Sequence, residues 1–386
     1  MIGLINIQWF DNPGAVWLAY SLQQTVRKLK PDEEVVIIDY AAGGSKTIDL
    51  SPANKVIKRI KRKVSNALFY LDAKNRKFGL GLKERHGRYE EFRKEYLNRT
   101  PRTTKTNSEI FKKDYSACVV GSDVVWKPEI AEEEHSKIYF LQFAGDNTKK
   151  IAYAASIGTD DMVVLDRLKP LYRSLIADFN SISLREKTAV QYIGKLTDKK
   201  VSHVLDPVFL SDADAYVRLI KDVNIPCQQK YIYLYMLSYN EDIVTLALQL
   251  AQRNGYKIVY DLHTKENLVL KKEFKEYGVP STAVGPLEFL ALINSASVIL
   301  CDSFHGTAFS IILHKDFYTF GNHNGGIDIS TRMKDLLEIL ALEKRYVTDN
   351  STISSEPIDY ADVDKKLDNY RKESIEFLKK SLESFW

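Results

Sequence analysis

Several short stretches place chemically capable side chains directly off the end of an apolar run. In "SVILCDSFHGTAFSIIL", residues 297–313, a β-branched run ending at Cys301 meets Asp302-Ser303-Phe304-His305-Gly306-Thr307 and then turns apolar again. The first run reads as a buried strand; the second has helical spacing, with Ser303 or Thr307 as its cap. The polar knot is therefore a strand-to-helix turn, where N–H groups without partners and the helix dipole favour an anion. A histidine held there can act on whatever the turn binds. "SISLRE" brings Arg185 off another apolar run, and a guanidinium fits a phosphate or carboxylate bidentately. Asp11-Asn12-Pro13-Gly14, Gly121-Ser122-Asp123 and Ser156-Ile157-Gly158 are polar turns of the same kind. Each has a plainer reading. Asp302 can cap the next helix, Arg185 can pair with Glu186 or with a carboxylate across the domains, and Asp123 with Trp126 can be a turn beside a core residue. His305 can be a hydrogen-bonded structural histidine.

Other chemistries lack their motifs. There is no G-x-x-x-x-G-K-[ST] loop, and "GLGLKE" fails the dinucleotide pattern. With no C-x-x-C and no H-E-x-x-H, no metal is expected, and no cofactor. Ser303 is outside a G-x-S-x-G elbow, which argues against a hydrolase triad.

The elements that must position these turns alternate between strand-like and helix-like patterns, which favours parallel sheets flanked by helices, an α/β fold. One series runs from "IGLINIQ" to "VSHVLDPVFL" and a second from "KYIYLYML" to "DFYTFGN", with polar, proline-containing "SDADAYVRLIKDVNIPCQQ" between them. The expected domains are 1–228, carrying a basic helical insert at 54–113, and 229–350, with an amphipathic helix over 360–386 packing back across both. Two such halves leave a cleft between the carboxyl ends of their strands, where ligands of open α/β sheets bind.

The 386 residues are 45% hydrophobic and 27% charged, which suits an ordinary globular protein of two domains. No apolar run reaches the roughly 18 residues of a membrane span, and the start lacks the basic and apolar regions of a secretory signal, so a cytoplasmic location is expected. Cys118, Cys227 and Cys301 read as buried thiols. The net charge of +4 is uneven, because residues 54–113 hold 19 Lys/Arg against 6 Asp/Glu. "KVIKRIKRKVSNALFYL" within that block is a basic amphipathic helix, either resting on an anionic membrane or substrate, or solvated and packed by its apolar side. No nucleic-acid motif accompanies the charge.

"DNPGAVWLAYSLQ", "VVGSDVVWKPE", "KKIAYAASIG", "SISLREKTAV", "HVLDPVFL", "GPLEFLALINSASVILCDSFHGTAFSIIL" and "STRMKDLLEIL" occur in the order of the polysaccharide pyruvyl transferase family, which the chain resembles over roughly residues 4 to 345. Val124 and Lys127 stand where Gln and Asn are common, and His314-Lys315-Asp316 replaces a usual G-K-P. The resemblance implies two Rossmann-like domains arranged as in B-type glycosyltransferases, with phosphoenolpyruvate in the cleft. It implies transfer of the enolpyruvyl carbons to two hydroxyls of a hexose, giving a cyclic ketal and releasing phosphate. Arg185, Ser303, His305, Gly306, Thr307 and Arg332 would then hold the donor. His305 would protonate its methylene carbon, and Asp123 would receive a hydroxyl proton. Asn12, Gly14, Asp123 and Trp126 fall on the acceptor side. The expected acceptor is a surface-polysaccharide precursor, a lipid-linked oligosaccharide, with residues 54–71 contacting the inner-membrane face. The rival readings are a nucleotide-sugar glycosyltransferase on the same architecture and a non-catalytic glycan-binding relative.

Overall fold

The computed structural model describes residues 1–41, 81–261, 269–321, 330–348 and 353–383, with the backbone of a short hairpin, β12 (His323–Asn324) and β13 (Ile327–Asp328). The basic stretch 54–71 lies outside the described residues. Strands β1 (Ile2–Ile5), β2 (Val35–Ile37), β3 (Ala117–Val120), β4 (Lys149–Ala155), β5 (Ser181–Leu184) and β6 (Val201–His203) form a parallel sheet in the order β2-β1-β3-β4-β5-β6. A second parallel sheet comprises β7 (Tyr231–Tyr235), β8 (Lys257–Asp261), β9 (Gly278–Ser281), β10 (Val298–Cys301), β11 (Asp316–Phe320) and β14 (Tyr346–Val347), in the order β14-β11-β10-β7-β8-β9.

The central strands are uninterrupted apolar runs because both faces of a parallel sheet are covered; β1, β3, β7 and β10 are buried along their whole length. Read from β9, the second sheet has the 3-2-1-4-5-6 order of a Rossmann fold, and the first has the related 2-1-3-4-5-6 order. Strand order reverses between β1 and β3 in one sheet and between β7 and β10 in the other, which makes those two gaps the switch points.

The domains share one apolar seam. Trp17, on the helix Pro13–Leu29, packs edge-on against Tyr216 and against Phe309 of the helix Phe304–Ile312, and its Nε1 donates to the Pro286 carbonyl at 3.0 Å. The helix Leu82–Tyr96 ties both sides through guanidiniums. Arg85 and Arg88 donate to the carbonyls of Val284 and Ala283 at 2.7 and 2.8 Å, whereas Arg93 donates to those of Gln8 and Phe10 at 2.9 and 2.7 Å. The last helix, Tyr360–Glu383, reaches the Phe209 carbonyl through Arg371 at 2.6 Å, and Lys149 donates to its Leu382 carbonyl at 2.9 Å.

Candidate active site

The two switch points face one another, and the turns leaving their strands form one small cavity of about 70 Å3. Asn12 follows β1, Asp123 follows β3, Leu237 follows β7, and Asp302 to His305 follow β10; Arg332 closes the wall from the helix Thr331–Ile339. A groove of about 900 Å3 between β6 and the last helix is much larger, but it runs along the edge strand β6 and borders neither switch point. Position at the switch points, rather than volume, identifies the site.

From the first sheet, Arg185 leaves β5 and is 4% exposed. Its Nη1 lies 2.6 Å from Asp206 Oδ2, its Nη2 3.5 Å from Asp123 and its Nε 3.5 Å from Glu186. Burial alone would lower its pKa; Asp206, Glu186 and Asp123 reverse that and keep the guanidinium charged. Asp206 also accepts from Ser122 Oγ at 3.1 Å and from the Val208 N–H at 3.1 Å. Burial would raise the pKa of Asp123, but Arg185, Arg332 and His305 hold it below the usual carboxylate range. Burial raises that of Glu186, which accepts from Ser156 Oγ.

From the second sheet, the turn after β10 is occupied largely with itself. Asp302 accepts from the Leu237 N–H at 2.7 Å, and burial pushes its pKa up to about 6. Ser303 caps the helix Phe304–Ile312 by accepting from the Gly306 N–H at 3.4 Å. Thr307 is fully buried behind the turn, where its Oγ1 donates to the Ser303 carbonyl at 3.0 Å and meets Thr319 Oγ1 at 2.9 Å. Gly306 is packed against Cys301 and Tyr235, the nearest atoms 3.1 Å from where a Cβ would stand. Of the expected donor-binding residues, Thr307 and Gly306 thus shape the turn rather than line the cavity.

His305 is the exception. Its Nε2 is buried, makes no hydrogen bond among the described residues, and lies 3.8 Å from Asp206 Oδ2. Its Nδ1 edge meets Gly14: a Cβ added there would fall 2.0 Å from that nitrogen. Gly14, expected to touch the acceptor, instead makes room for the imidazole. Burial lowers the pKa of His305 against the pull of Asp206 and Asp123, with Arg185 and Arg332 adding to the fall, which favours the neutral imidazole. Phe304 forms a shared platform, its ring centroid 4.5 Å from the Arg185 guanidinium carbon and 6.0 Å from that of Arg332. Arg332 is 20% exposed at its side chain, with burial and the neighbouring Arg185 lowering its pKa.

Asn12 lines the cavity while its Oδ1 caps the helix Pro13–Leu29, accepting from the Ala15 N–H at 3.1 Å. Two helix starts therefore flank the cavity, where their dipoles favour an anion. Trp126 lies elsewhere. It is fully buried, stacked on Phe140 at 5.0 Å, with Nε1 donating to the Tyr139 carbonyl at 3.0 Å, because a large apolar ring gains more from the core than from a wet cleft. Asp206 went unmarked in the sequence as a site residue. Its signal was the one that marked Arg185, a charge directly after an apolar run, in "HVLDPVFL". Among the described residues no cluster of three or more metal-ligating side chains is present. The free cysteines Cys118, Cys227 and Cys301 are buried. No described helix is long and apolar enough to cross a membrane.

Comparison with known proteins places this geometry in context. A family model described as polysaccharide pyruvyl transferase matches residues 12–324. No curated protein matches the sequence. Among solved structures, the UDP-GlcNAc 2-epimerase of Neisseria meningitidis, bound to UDP-GlcNAc, aligns over 97% of this chain and 94% of its own at 11% identity, with a TM-score of 0.53. The UDP-GlcNAc 2-epimerase of Methanocaldococcus jannaschii aligns over 100% and 92% at 14% identity, with a TM-score of 0.50. The E. coli heptosyltransferase WaaC aligns over 87% and 98% at 10% identity, with a TM-score of 0.38. At such identities the likeness shows the fold alone: two Rossmann-like domains with a cleft between them, as in the two epimerases.

Proposed function

The chain belongs to the polysaccharide pyruvyl transferase family, and on that premise we propose that it moves the pyruvyl group of phosphoenolpyruvate onto two hydroxyls of a hexose in a surface-polysaccharide precursor. The product is a cyclic ketal and the leaving group is phosphate. The observation that carries this reading is His305, an imidazole whose Nε2 has no hydrogen-bond partner among the described residues, in a cavity also lined by Arg332 and a helix start. At about 70 Å3 the cavity has room for a handful of water-sized bodies, the scale of a small phosphorylated acid rather than of a nucleotide sugar.

The donor's phosphate and carboxylate are assigned to Arg332, Arg185 and the Phe304 and His305 N–H groups. A bound dianion raises the pKa of His305, so the imidazole takes up its proton as the donor arrives. His305 gives that proton to the methylene carbon, which becomes a methyl group and leaves the central carbon electrophilic. A positioned acid of this kind supplies about 10²–10⁴ in rate. One sugar hydroxyl adds to the central carbon and loses its proton, phosphate departs with the bridging oxygen, and the second hydroxyl closes the ring with loss of its own proton. Asp123 is assigned the first hydroxyl proton. Its lowered pKa makes it a weak base, and a weak base suffices because an alcohol bonded to an electron-poor carbon is strongly acidic. Asn12 orients the acceptor from the opposite wall.

We assign the acceptor as a lipid-linked oligosaccharide met at the inner-membrane face. Incubating the chain with phosphoenolpyruvate and candidate glycan precursors, then following phosphate release and product mass, tests the reading. Phosphate release coupled to the mass gain of a pyruvyl ketal supports it. Nucleotide release from an activated sugar, with none from phosphoenolpyruvate, replaces it with a glycosyltransferase, and acceptor binding without any product leaves a glycan-binding protein.

A further inference from the structure

Behind the loop that follows β1 lies a second cavity, of about 540 Å3, lined in part by Lys94, Asn98, Arg99 and Arg102, with Asp39 and Glu90. Together with Arg93 it brings four cations against two carboxylates. Asp39 is 2% exposed and takes Arg99 Nη1 at 2.8 Å and Arg102 Nε at 3.1 Å. Glu90 takes Arg93 Nη1 at 2.7 Å and Arg102 Nη2 at 3.4 Å. A guanidinium carries five N–H donors, so Arg99 and Arg102 keep donors beyond these bonds, and Lys94 is exposed beside them. Three guanidiniums and an ammonium around one cavity repel one another, and Asp39, Glu90 and Asp11, the last paired to Arg93, leave one positive charge without an offset. An oxyanion completes the balance. Burial lowers the pKa of Arg99 against the pull of Asp39 and Glu90, with Arg102 and Arg93 adding to the fall.

The loop that follows β1 connects the cavity to the candidate active site. Arg93 bonds the carbonyls of Gln8 and Phe10 and, at 3.1 Å, Asp11 Oδ1, and the next residue, Asn12, lines the central cavity. The chain leaves the rim at Ala41, whose N–H bonds the Thr103 carbonyl at 2.9 Å. Beyond it, residues 42–80 hold ten Lys/Arg and two Asp/Glu, a balance that also favours an anionic partner. We propose that this second cavity binds a phosphoryl oxyanion, the diphosphate or phosphodiester joined to the acceptor sugar, while the sugar itself reaches the central cavity past Asn12. The inference rests on the transferase reading and adds to it the charge of the acceptor.

Calorimetric titration of the full chain with inorganic pyrophosphate tests it. Lys94→Ala and Arg102→Gln are each expected to weaken pyrophosphate binding at this site about tenfold, and Arg332→Gln, on the central cavity that also takes phosphate, to leave the affinity of this second site in place. Lys94 is exposed, so its variant keeps the fold, and thermal melting checks the other two. No pyrophosphate binding, or binding lost only with Arg332→Gln, overturns the inference. A diphosphate-linked sugar that competes with pyrophosphate, where the same sugar as a neutral glycoside does not, supports the acceptor as the source. Competition by neither assigns the cavity to free anions and overturns the acceptor role. Pyrophosphate binding through Lys94 and Arg102 in a chain that releases no phosphate from phosphoenolpyruvate removes the transferase reading while the anion site stands.

Discussion

After β5 the chain turns polar at Arg185-Glu186, and after β10 it turns polar at Asp302 to Thr307. Both turns follow a buried apolar strand, both carry side chains able to do chemistry, and they meet where Arg185 lies over the Phe304 ring. In the first, the charges are long or strongly acidic and cannot be satisfied by their own backbone. They are buried only by finding one another across the sheet, Arg185 with Asp206, Asp123 and Glu186. In the second, short side chains satisfy the local backbone: Ser303 caps, Thr307 bonds back to Ser303, and Asp302 holds Leu237. Only His305 is left over. One turn supplies a rigid electrostatic frame and the other a single reactive group in a rigid mount.

The largest expected effect separates His305 from its turn. His305→Gln should lower turnover by about 10²–10⁴ with little change in thermal melting; phosphate release from phosphoenolpyruvate measures it, and normal turnover would erase the distinction. Asp206→Asn attacks the frame. It leaves Arg185 buried beside a neutral amide, and breaking such a pair costs about 3–5 kcal/mol, read by denaturant unfolding. A loss well under 1 kcal/mol would mean that the frame is not held by its charges. Gly14→Ala joins the two regions, since the new methyl meets His305. Overpacking of this kind costs about 1–3 kcal/mol, and a displaced imidazole should reduce turnover about 10²-fold.

A smaller effect lies in pH. His305 has a lowered pKa in the fold, so below about pH 6.5 the unfolded chain binds a proton that the folded chain does not. Stability should therefore fall as pH drops from there towards the folded value, by at most about 1.4 kcal/mol per pH unit. His305→Gln should lose less over the same window. Asp261 and Asp302, both raised to about 6 by burial, act in the opposite sense as pH falls from about 6 to 4 and are common to both chains. Equal slopes would mean that the imidazole is already charged in the empty site. The smallest change is Thr307→Val, which should cost about 1 kcal/mol and leave turnover within about twofold, since this hydroxyl serves the turn.

The strands were legible because both faces of each sheet are covered, which leaves unbroken runs such as "ACVV" and "VILC". Their lateral order was not, because nothing local in β10 states that it lies beside β7. Asp123 and His305 line one cavity, with Arg185 paired to Asp123 behind it, and this follows from a local rule: each lies within four residues of the end of a buried strand. Asp206 lies three residues past β6, but that strand is only half-buried and Asp206 looks like half of an Asp-Pro turn. Trp126 shows the limit of the rule, because a polar turn does not say which way the next ring points, and the core claimed it. The hydroxyls of Ser303 and Thr307 carry no mark that separates a helix cap from a ligand contact, since both uses ask for the same oxygen.

Besides side chains such as Asp11, the helix Leu82–Tyr96 grips backbone carbonyls, 283 and 284 on one domain and 8 and 10 on the other. Carbonyls survive nearly every point mutation, so substitution in either loop leaves this clasp intact. With the last helix tying the far side, the jaws keep one gape, and what enters is gauged by the aperture rather than enclosed by a closing movement.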